Sequence, residues 1–296
     1  MTARQKLLLF GAFTMVGMGL GGGLMMLVAA WLAPVGADLP AIFSNPLPEH
    51  ADLLKWSNTS MLVGFFLFPI IAFQLLFKRT SSLPLNFSKR SHWWWIAPFL
   101  LFFLSGMVDI AGAFNTWLMQ KMQWETLDQL QTQADQLQRF MLNPTDAFGW
   151  ISTLMAVVIG PAILEELFFR GGLQNLFLRV GKNPHASIWM SAIAFSAVHL
   201  QFEGFLPRLM LGALMGYLYY WSGSITTAII AHAFNNLLAL VLFHAFATTE
   251  WHIVDQPWIE LLISFVFGFV GIALTQWAYR RGHQVSTPIE EGLSDQ

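Results

Sequence analysis

The sequence contains no cysteine among its 296 residues. This absence excludes disulfide bonds, thiolate metal sites and a cysteine nucleophile. Charged residues are also scarce, at 11%, whereas a soluble domain usually carries about 25%. Because 55% of the residues are hydrophobic, the composition excludes an ordinary soluble domain and predicts an integral membrane protein.

A convincing internal repeat is also lacking. Many secondary transporters are built from two inverted repeats that surround a site at the middle of the membrane. The absence of such a repeat argues against that class of transporter.

Apolar stretches of roughly 20 residues, the length of a transmembrane helix, recur along the chain. They predict an all-α fold, a polytopic membrane helical bundle of about eight transmembrane helices, at residues 7–32, 60–77, 94–118, 149–179, 187–203, 206–221, 225–246 and 258–279. The first stretch is too long for the hydrophobic part of a signal peptide, so it is interpreted as a helix.

The charges are segregated when they are placed on this eight-helix arrangement. One side carries the basic residues Arg4, Lys6, Lys78, Arg79, Lys89, Arg90, Arg179, Lys182, Arg280 and Arg281. The opposite loops are mainly acidic and contain only the basic residues Lys55, Lys121, Arg139 and Arg208. Since basic loops stay in the cytoplasm, we expect both termini to be cytoplasmic and the protein to lie in the cell inner (cytoplasmic) membrane.

The predicted helices divide the chain into four regions. Residues 1–148 hold transmembrane helices 1–3, an external loop at 33–59 and an amphipathic segment at about 120–142. Residues 149–246 form a helical core, and 247–281 contain the final transmembrane helix. Residues 282–296 are polar and acidic, which predicts a disordered cytoplasmic tail.

The segment 120–142 differs from the rest of the chain because it is rich in Gln and Asp. Its larger apolar residues recur at helical spacing: Trp124, Leu127, Leu130, Leu137 and Met141. We interpret it as an external amphipathic helix on the membrane surface or capping the bundle. Docking of a partner helix is an alternative.

Ionisable residues inside the predicted spans are the strongest functional signal, because a charge in the bilayer centre costs about 2.5–3.5 kcal/mol on insertion scales. The stretch "AILEELFFRGG" at 162–172 contains Glu165, Glu166 and Arg170. Glu166 and Arg170 are four residues apart with the acid first, the favourable order for a helical ion pair. Glu165 lies about 100° around the helix, so we expect one glutamate to pair and the other to face something else.

Two further spans carry polar residues at the same spacing of four. Phe195 and His199 share a face of the span at 187–203, and His232 and Asn236 share a face of the span at 225–246. By the helical rise, these residues and Glu165 lie roughly 12–21 Å from the cytoplasmic ends of their spans. We therefore expect Glu165, His199, His232 and Asn236 to meet near mid-membrane. Asp109 has no motif around it, and packing is its favoured role.

This set of residue types suits hydrolysis. A glutamate in an apolar pocket can accept a proton from water, and His199 can help to hold that water. His232 and Asn236 can donate hydrogen bonds to a developing oxyanion. No serine stands in a recognisable nucleophile setting, so direct attack by water is the simpler scheme. The structural alternative is that the histidines only link helices.

Three motifs in this order resemble the CPBP family, the CAAX proteases and bacteriocin-processing enzymes, also called the Abi family. The family motifs EExxxR, FxxxH and HxxxN match Glu165-Glu166-Leu167-Phe168-Phe169-Arg170, then Phe195 to His199, then His232 to Asn236. The resemblance implies an intramembrane endopeptidase in which Glu165 activates water with the help of His199. It implies that His232 and Asn236 stabilise the oxyanion, and that Glu166 and Arg170 have a structural role.

The family is often described as metalloproteases, which leaves two expectations about cofactors. We expect a mechanism that requires no cofactor. A site for zinc or another divalent metal is the alternative, with Glu165, His199 and His232 as its ligands. The expected partners are membrane lipids and a membrane-embedded or lipid-anchored protein or peptide substrate, with no nucleic acid.

Two other functional classes remain open on the sequence alone. One is a non-catalytic membrane adaptor, or a bacteriocin-immunity-type protein, that keeps the same residues for stability. The other is a proton-coupled transporter that uses Glu165 and Asp109. The completeness of the three motifs favours the peptidase over the adaptor, and the missing repeat disfavours the transporter.

Overall fold

The computed structural model describes residues 1–78, 82–87, 91–122, 125–144, 146–246 and 257–282. Within these residues all regular structure is helical, which confirms the predicted all-α fold class. The helices are α1 Ala3–Leu32, α2 Leu39–Ser44, α3 Pro48–Phe77, α4 Ser91–Met122, α5 Glu125–Leu142, α6 Ala147–Gly181, α7 Pro184–Ala197, α8 Phe205–Ser222, α9 Ile225–Phe246 and α10 Pro257–Gly282.

Several helices begin where a short polar side chain can accept a hydrogen bond from the first turn. Thr2 caps α1 and forms a reciprocal pair of hydrogen bonds with Gln5. Asp146 accepts from the backbone N–H of Gly149 at 2.7 Å at the start of α6. Asn183 does the same for Ala186 before α7. These caps explain why the long apolar segments begin at these residues.

Among the described residues, five helices are long and apolar enough to cross a membrane, and they make this a multi-pass membrane protein. They are Ala3–Leu32, Pro48–Phe77, Trp93–Met122, Ala147–Gly181 and Ile225–Ala245. Within α10, residues Leu262–Leu274 form a shorter apolar helix. The predicted count of eight spans and the cytoplasmic termini stay predictions.

Two predicted boundaries differ from the structure. The interval 33–59, predicted as a loop, contains α2 and the first turns of α3, because Pro48 suits the first turn of a helix. The span predicted at 187–203 ends at Ala197, so α7 has only 14 residues. The apolar residues Val198 and Leu200 had extended the prediction, but the chain turns here and Leu200 has a φ of 54°.

The amphipathic segment and the C-terminal tail are the remaining predicted segments. The amphipathic segment is helical over Glu125–Leu142, and its last two residues, Met141 and Leu142, are buried; its place on the membrane surface stays a prediction. Trp124 and most of the tail at 282–296 lie outside the described residues.

The chain divides into two compact units. Unit 1 comprises Met1–Pro84 and Thr132–Leu176, and unit 2 comprises Leu85–Gln131 and Phe177–Gln296. The units are defined by packing, whereas the four predicted regions follow motifs along the chain. Because the two divisions rest on different criteria, the units do not test the regions, and the four regions stay predictions.

Unit 1 is held together by a glycine contact between α1 and α3. A Cβ atom on Gly21 would lie 2.5 Å from the backbone oxygen of Met61, and one on Gly17 would lie 2.9 Å from that of Gly64. Neither neighbour can move easily, because both are backbone atoms. The two helices therefore pack at a distance that only glycine allows, as small residues do in membrane bundles.

Replacing Gly21 by alanine is expected to lower the stability of the protein by about 1–3 kcal/mol, the usual cost of overpacking. The matched control is Gly22→Ala, because a Cβ at Gly22 would meet nothing within 4 Å. Both variants replace glycine by alanine in α1, so both favour the helix equally. The difference between their thermal unfolding temperatures in detergent therefore reports the cost of the close contact between α1 and α3. Equal unfolding temperatures for the two variants would contradict the prediction.

Three stretches of α3 and α6 are π-helical: Val63–Leu67, Leu154–Ile159 and Leu167–Gln174. The first two are each followed two residues later by a proline, Pro69 and Pro161. Proline lacks the N–H for the helical bond and its ring clashes with the carbonyl four residues earlier. A wider turn just before the proline accommodates that clash. The third stretch has no proline and contains Arg170.

A buried polar cluster in unit 1 involves a lysine that the charge pattern had assigned to an external loop. Lys55 is 1% exposed, and its Nζ lies 3.4 Å from Asp52 Oδ1 and 3.4 Å from the backbone oxygen of Asn143. Ser152 donates a hydrogen bond of 2.6 Å to the same Asp52 oxygen. These contacts join α3 to α6 and to the residues that precede α6.

Unit 2 packs α7, α8 and α9 with α4 around a core that includes Ala97, Leu100, Ile188, Leu218 and Ala231. The turn between α8 and α9 contains Gly223 at a φ of 63°. Asn86 holds this turn: its side-chain amide donates to the Gly223 oxygen at 2.7 Å, and its carbonyl accepts from Ile225 at 2.8 Å.

Candidate active site

The first motif lies in unit 1, at the point where α6 changes from α-helix to π-helix. Glu165 and Glu166 are the last residues of the α-helical stretch, and Arg170 lies inside the π-helical one. All three are buried, with exposures of 6%, 0% and 1%. Single π-turns inside α-helices occur often at functional sites.

The ion pair predicted from the spacing is confirmed. Arg170 Nη1 lies 3.0 Å from Glu166 Oε1, so Glu166 is the glutamate that pairs. Among the described residues, the ion pairs within 4.0 Å do not include Glu165. The two adjacent carboxylates therefore differ in their ion pairing, as their angular separation on the helix predicted.

Aromatic packing surrounds this motif. Phe168 lies 5.2 Å from Phe10 and 5.2 Å from Phe66, and Phe169 lies 5.7 Å from Phe66, measured between ring centroids. Gly172 makes the approach possible, since a Cβ there would lie 2.6 Å from the ring of Phe10. The rings exclude water from one side of the motif and hold α6 against α1 and α3.

Asn175 is a residue that the sequence reasoning missed. Its buried side-chain amide donates to the backbone oxygens of Arg170 at 2.7 Å and of Gly171 at 3.0 Å. A π-turn displaces the normal helical hydrogen bonds, and buried carbonyls need a partner. Asn175 therefore stabilises the wide turn that carries Arg170. An asparagine five residues after the motif arginine is the only signal in the sequence.

The second and third motifs lie in unit 2, where the structure brings them together around one ring. The centroid of Phe195 lies 5.1 Å from that of His199 and 6.0 Å from that of His232, both edge-on. Phe195 is buried at 4% exposure and His232 at 4%, while His199 is half-buried. Gly212 gives the phenylalanine its space, since a Cβ there would lie 3.1 Å from the ring.

The orientation and tautomer of His199 follow from one hydrogen bond. Its Nδ1 lies 2.8 Å from the backbone oxygen of Phe195. A carbonyl oxygen can only accept, so Nδ1 carries the proton and Nε2 of the neutral ring is the acceptor. His199 lies beyond the end of α7, where its backbone N–H donates to the oxygen of Ser196. It is therefore outside the helix, whereas the span predicted at 187–203 had included it.

Asn236 lies one turn after His232 on α9, so the two share a helix face. Asn236 is half-buried, and its Oδ1 accepts a weak hydrogen bond of 3.3 Å from the neighbouring Asn235. The side-chain amide of Asn236 also carries N–H groups, which are hydrogen-bond donors.

The loop that follows His199 is held by a second missed residue, Asn115 of α4. Asn115 is 3% exposed. Its Nδ2 donates to the backbone oxygens of Phe202 at 2.8 Å and Glu203 at 2.7 Å, and its Oδ1 accepts from Leu206 at 3.3 Å.

Two other side chains fix the same loop. Ser196 donates to the oxygen of Phe205 at 2.6 Å, and the Arg208 guanidinium donates to the side-chain and backbone oxygens of Gln201. The chain just after His199 is therefore tied to α4, α7 and α8.

Removing the amide of Asn115 by substitution with leucine is expected to loosen this loop. The carbonyls of Phe202 and Glu203 would lose their donor, at a cost of about 1–3 kcal/mol for an unsatisfied group. Hydrogen exchange of the amides in 199–206 should therefore become faster. Thr116→Val is the matched control, because Thr116 is the exposed neighbour on α4. Unchanged exchange in Asn115→Leu would contradict this role.

Asp109, another ionisable residue of the predicted spans, lies on α4 in unit 2 and is exposed. Within the part of the chain that the structure describes, no group of three His, Cys, Asp or Glu side chains is placed to hold a metal ion. On His199, the ring nitrogen with the lone pair is Nε2, so a metal bound by this residue would use that atom. The choice between a metal-free and a zinc mechanism stays a prediction.

The long apolar helices define a membrane protein, and motif residues lie on α6, α7 and α9. A comparison with family models matches residues 147–238 to the family described as Type II CAAX prenyl endopeptidase Rce1-like. This interval contains all three motifs. No curated protein and no solved structure matches the chain.

Residues 147–238 are thus similar to the CAAX protease family, CPBP, which is the family that the three motifs predicted. By its description, the matched family consists of prenyl endopeptidases.

Proposed function

We propose that this protein is an intramembrane endopeptidase that cleaves a peptide bond of a membrane-embedded or lipid-anchored protein by glutamate-activated water. Glu165 acts as the general base. Its burial in unit 1 and the engagement of Glu166 with Arg170 are the observations that carry this assignment.

In the proposed reaction, the Glu165 carboxylate takes a proton from water while the water oxygen attacks the carbonyl carbon of the peptide bond. His199 accepts a hydrogen bond from the same water through Nε2, the nitrogen that its bond to Phe195 leaves without a proton. The carbonyl oxygen becomes an oxyanion. The oxyanion then re-forms the carbonyl group while the C–N bond breaks, and Glu165 returns its proton to the leaving nitrogen. The products are a carboxylic acid, which loses its proton to solvent, and an amine.

His232 and Asn236 are proposed to donate hydrogen bonds to the oxyanion, a contribution of about 2.7–4 kcal/mol for one donor. Their position on one face of α9 and the contact of His232 with Phe195 support this role. Phe195 then acts as a spacer that fixes both histidine rings. Glu166 and Arg170 hold α6 in shape and take no part in proton transfer.

No cofactor is required on this proposal, although a divalent metal held by Glu165, His199 and His232 would supply Lewis-acid activation of water. The metal alternative is tested by exhaustive chelation followed by metal analysis of the purified protein. Activity that persists without metal supports the glutamate mechanism. Activity that is lost and then restored by zinc supports the alternative.

The defining experiment compares protein termini in membranes from cells with the wild type, Glu165→Gln or no protein. New peptide ends that require both the protein and Glu165 would establish proteolysis and identify the substrate. Glu49→Gln is the matched control, since this carboxylate is 75% exposed and outside the motifs. A phenotype that depends on the protein, without any cleavage that depends on Glu165, would replace the peptidase by the adaptor.

We further propose that the protein lies in the inner (cytoplasmic) membrane with both termini in the cytoplasm, on the strength of the charge segregation. Reporter fusions at residues 1 and 296 test this arrangement. A periplasmic or lumenal signal from either terminus would overturn it.

A further inference from the structure

An apolar cleft lies between α4 and α10 of unit 2, away from the residues of the three motifs. It has a volume of about 450 Å³ and is lined by Trp95, Ile96, Phe99, Leu100, Leu274 and Trp277. No polar side chain is among these six.

The shape of the cleft follows from the sequence of the two helices. Nearer their middle, α4 and α10 pack closely through glycine: a Cβ at Gly268 would lie 2.8 Å from Met107, and one at Gly271 would lie 2.7 Å from Leu104. Beyond Gly271 the facing residues are large, with Leu274 and Trp277 opposite the first turns of α4. The close glycine contact ends there and the cleft begins.

The lining of the cleft is exposed although it is wholly apolar. Trp95 is 82% exposed, Phe99 57% and Trp277 43%. Both helices are apolar over most of their length and α4 is long enough to cross a membrane. A concave apolar surface in that setting has the properties required to hold a hydrocarbon chain.

The ends of the two helices indicate which kind of lipid fits. Tryptophan marks the membrane interface, and Trp95 and Trp277 lie near the start of α4 and the end of α10. Arg280 is exposed and follows Trp277 by three residues, so the two share a helix face. In the sequence, Lys89 and Arg90 precede α4 and Arg281 follows Arg280. Basic residues that flank a membrane helix in the sequence attract anionic headgroups.

We propose that the cleft between α4 and α10 binds an acyl chain of an anionic phospholipid of the bilayer, whose phosphate lies beside Arg280. The chain occupies the surface formed by Ile96, Phe99 and Leu274, and the two tryptophans border it near the headgroup. This site is independent of the proposed peptidase activity.

The test is native mass spectrometry of the full chain released from nanodiscs that contain equal amounts of phosphatidylglycerol and phosphatidylcholine with the same acyl chains. The wild type should retain phosphatidylglycerol in preference to phosphatidylcholine. Arg280→Gln should reduce that preference about fivefold, the effect expected of one basic residue near an anionic surface. Ile96→Trp, which fills the cleft, should abolish retention of both lipids.

Trp31→Ala is the matched control, because Trp31 is 83% exposed on α1, in the other unit. It should leave retention unchanged. Trp277→Ala removes a wall of the cleft and provides a second test if Ile96→Trp does not fold. Equal lipid retention in the wild type and in both cleft variants would overturn the proposal. So would a dimer that the cleft variants dissociate, because the occupant would then be a second copy of the chain.

Discussion

Replacing Glu165 by glutamine should lower the rate of peptide hydrolysis by about 10²–10⁴-fold, the usual contribution of a general base. The substitution keeps the shape of the side chain and removes its ability to take a proton from water. Glu165 is buried, but it lies outside the ion pair of Glu166 with Arg170. The fold should therefore tolerate the change. The measurement is the rate of cleavage by purified protein of a substrate identified from its new termini.

The stability of Glu165→Gln and the activity of a control variant separate lost chemistry from other effects. Thermal unfolding of Glu165→Gln should match that of the wild type, which separates lost chemistry from lost folding. Glu49→Gln, the same change on an exposed carboxylate, should retain full activity. A Glu165→Gln protein that folds and cleaves at the normal rate would remove Glu165 from the mechanism.

Breaking the ion pair in α6 should have the largest effect on stability. Arg170→Met leaves Glu166 as a buried carboxylate at 0% exposure, and removing one partner of a buried pair costs about 3–5 kcal/mol. The expected result is a large fall in unfolding temperature in detergent. Arg139→Met, on an exposed arginine of α5, is the matched control and should have little effect.

The double variant Glu166→Leu, Arg170→Met distinguishes the pair from the space it fills. Replacing both charges by apolar side chains of similar size is often neutral or stabilising. The double variant should therefore be more stable than Arg170→Met alone. If the double variant is no more stable than the single one, the penalty of an unpaired buried charge is not what destabilises Arg170→Met.

The ion pair was predictable because it depends on local geometry alone. In a helix, residues four apart lie on one face, so Glu166 and Arg170 had to meet once α6 formed. The π-helical turns were not predicted, although Pro69 and Pro161 mark two of them. A shift in backbone hydrogen bonding changes the apolar pattern too little to be read from periodicity.

The position of His199 shows that hydropathy does not predict where α7 ends. Val198 and Leu200 are apolar, so the pattern extends the span past Ala197, although the helix ends there. A helix end is determined by backbone angles and hydrogen bonds. Because apolar residues can also adopt the backbone conformation of a turn, hydropathy does not mark that end. The motif spacing of Phe195 and His199 still brings them together, because His199 bonds to the Phe195 carbonyl in the final turn.

The sequence by itself determined the membrane class, the all-helical fold and the three motifs, since these depend on composition and on spacing within one helix. Only the tertiary structure decided that Phe195 lies between His199 and His232. It also decided that Asn115 holds a loop 87 residues away at Phe202. Contacts of this kind depend on how separate helices pack, and packing is set by the shapes of many side chains together.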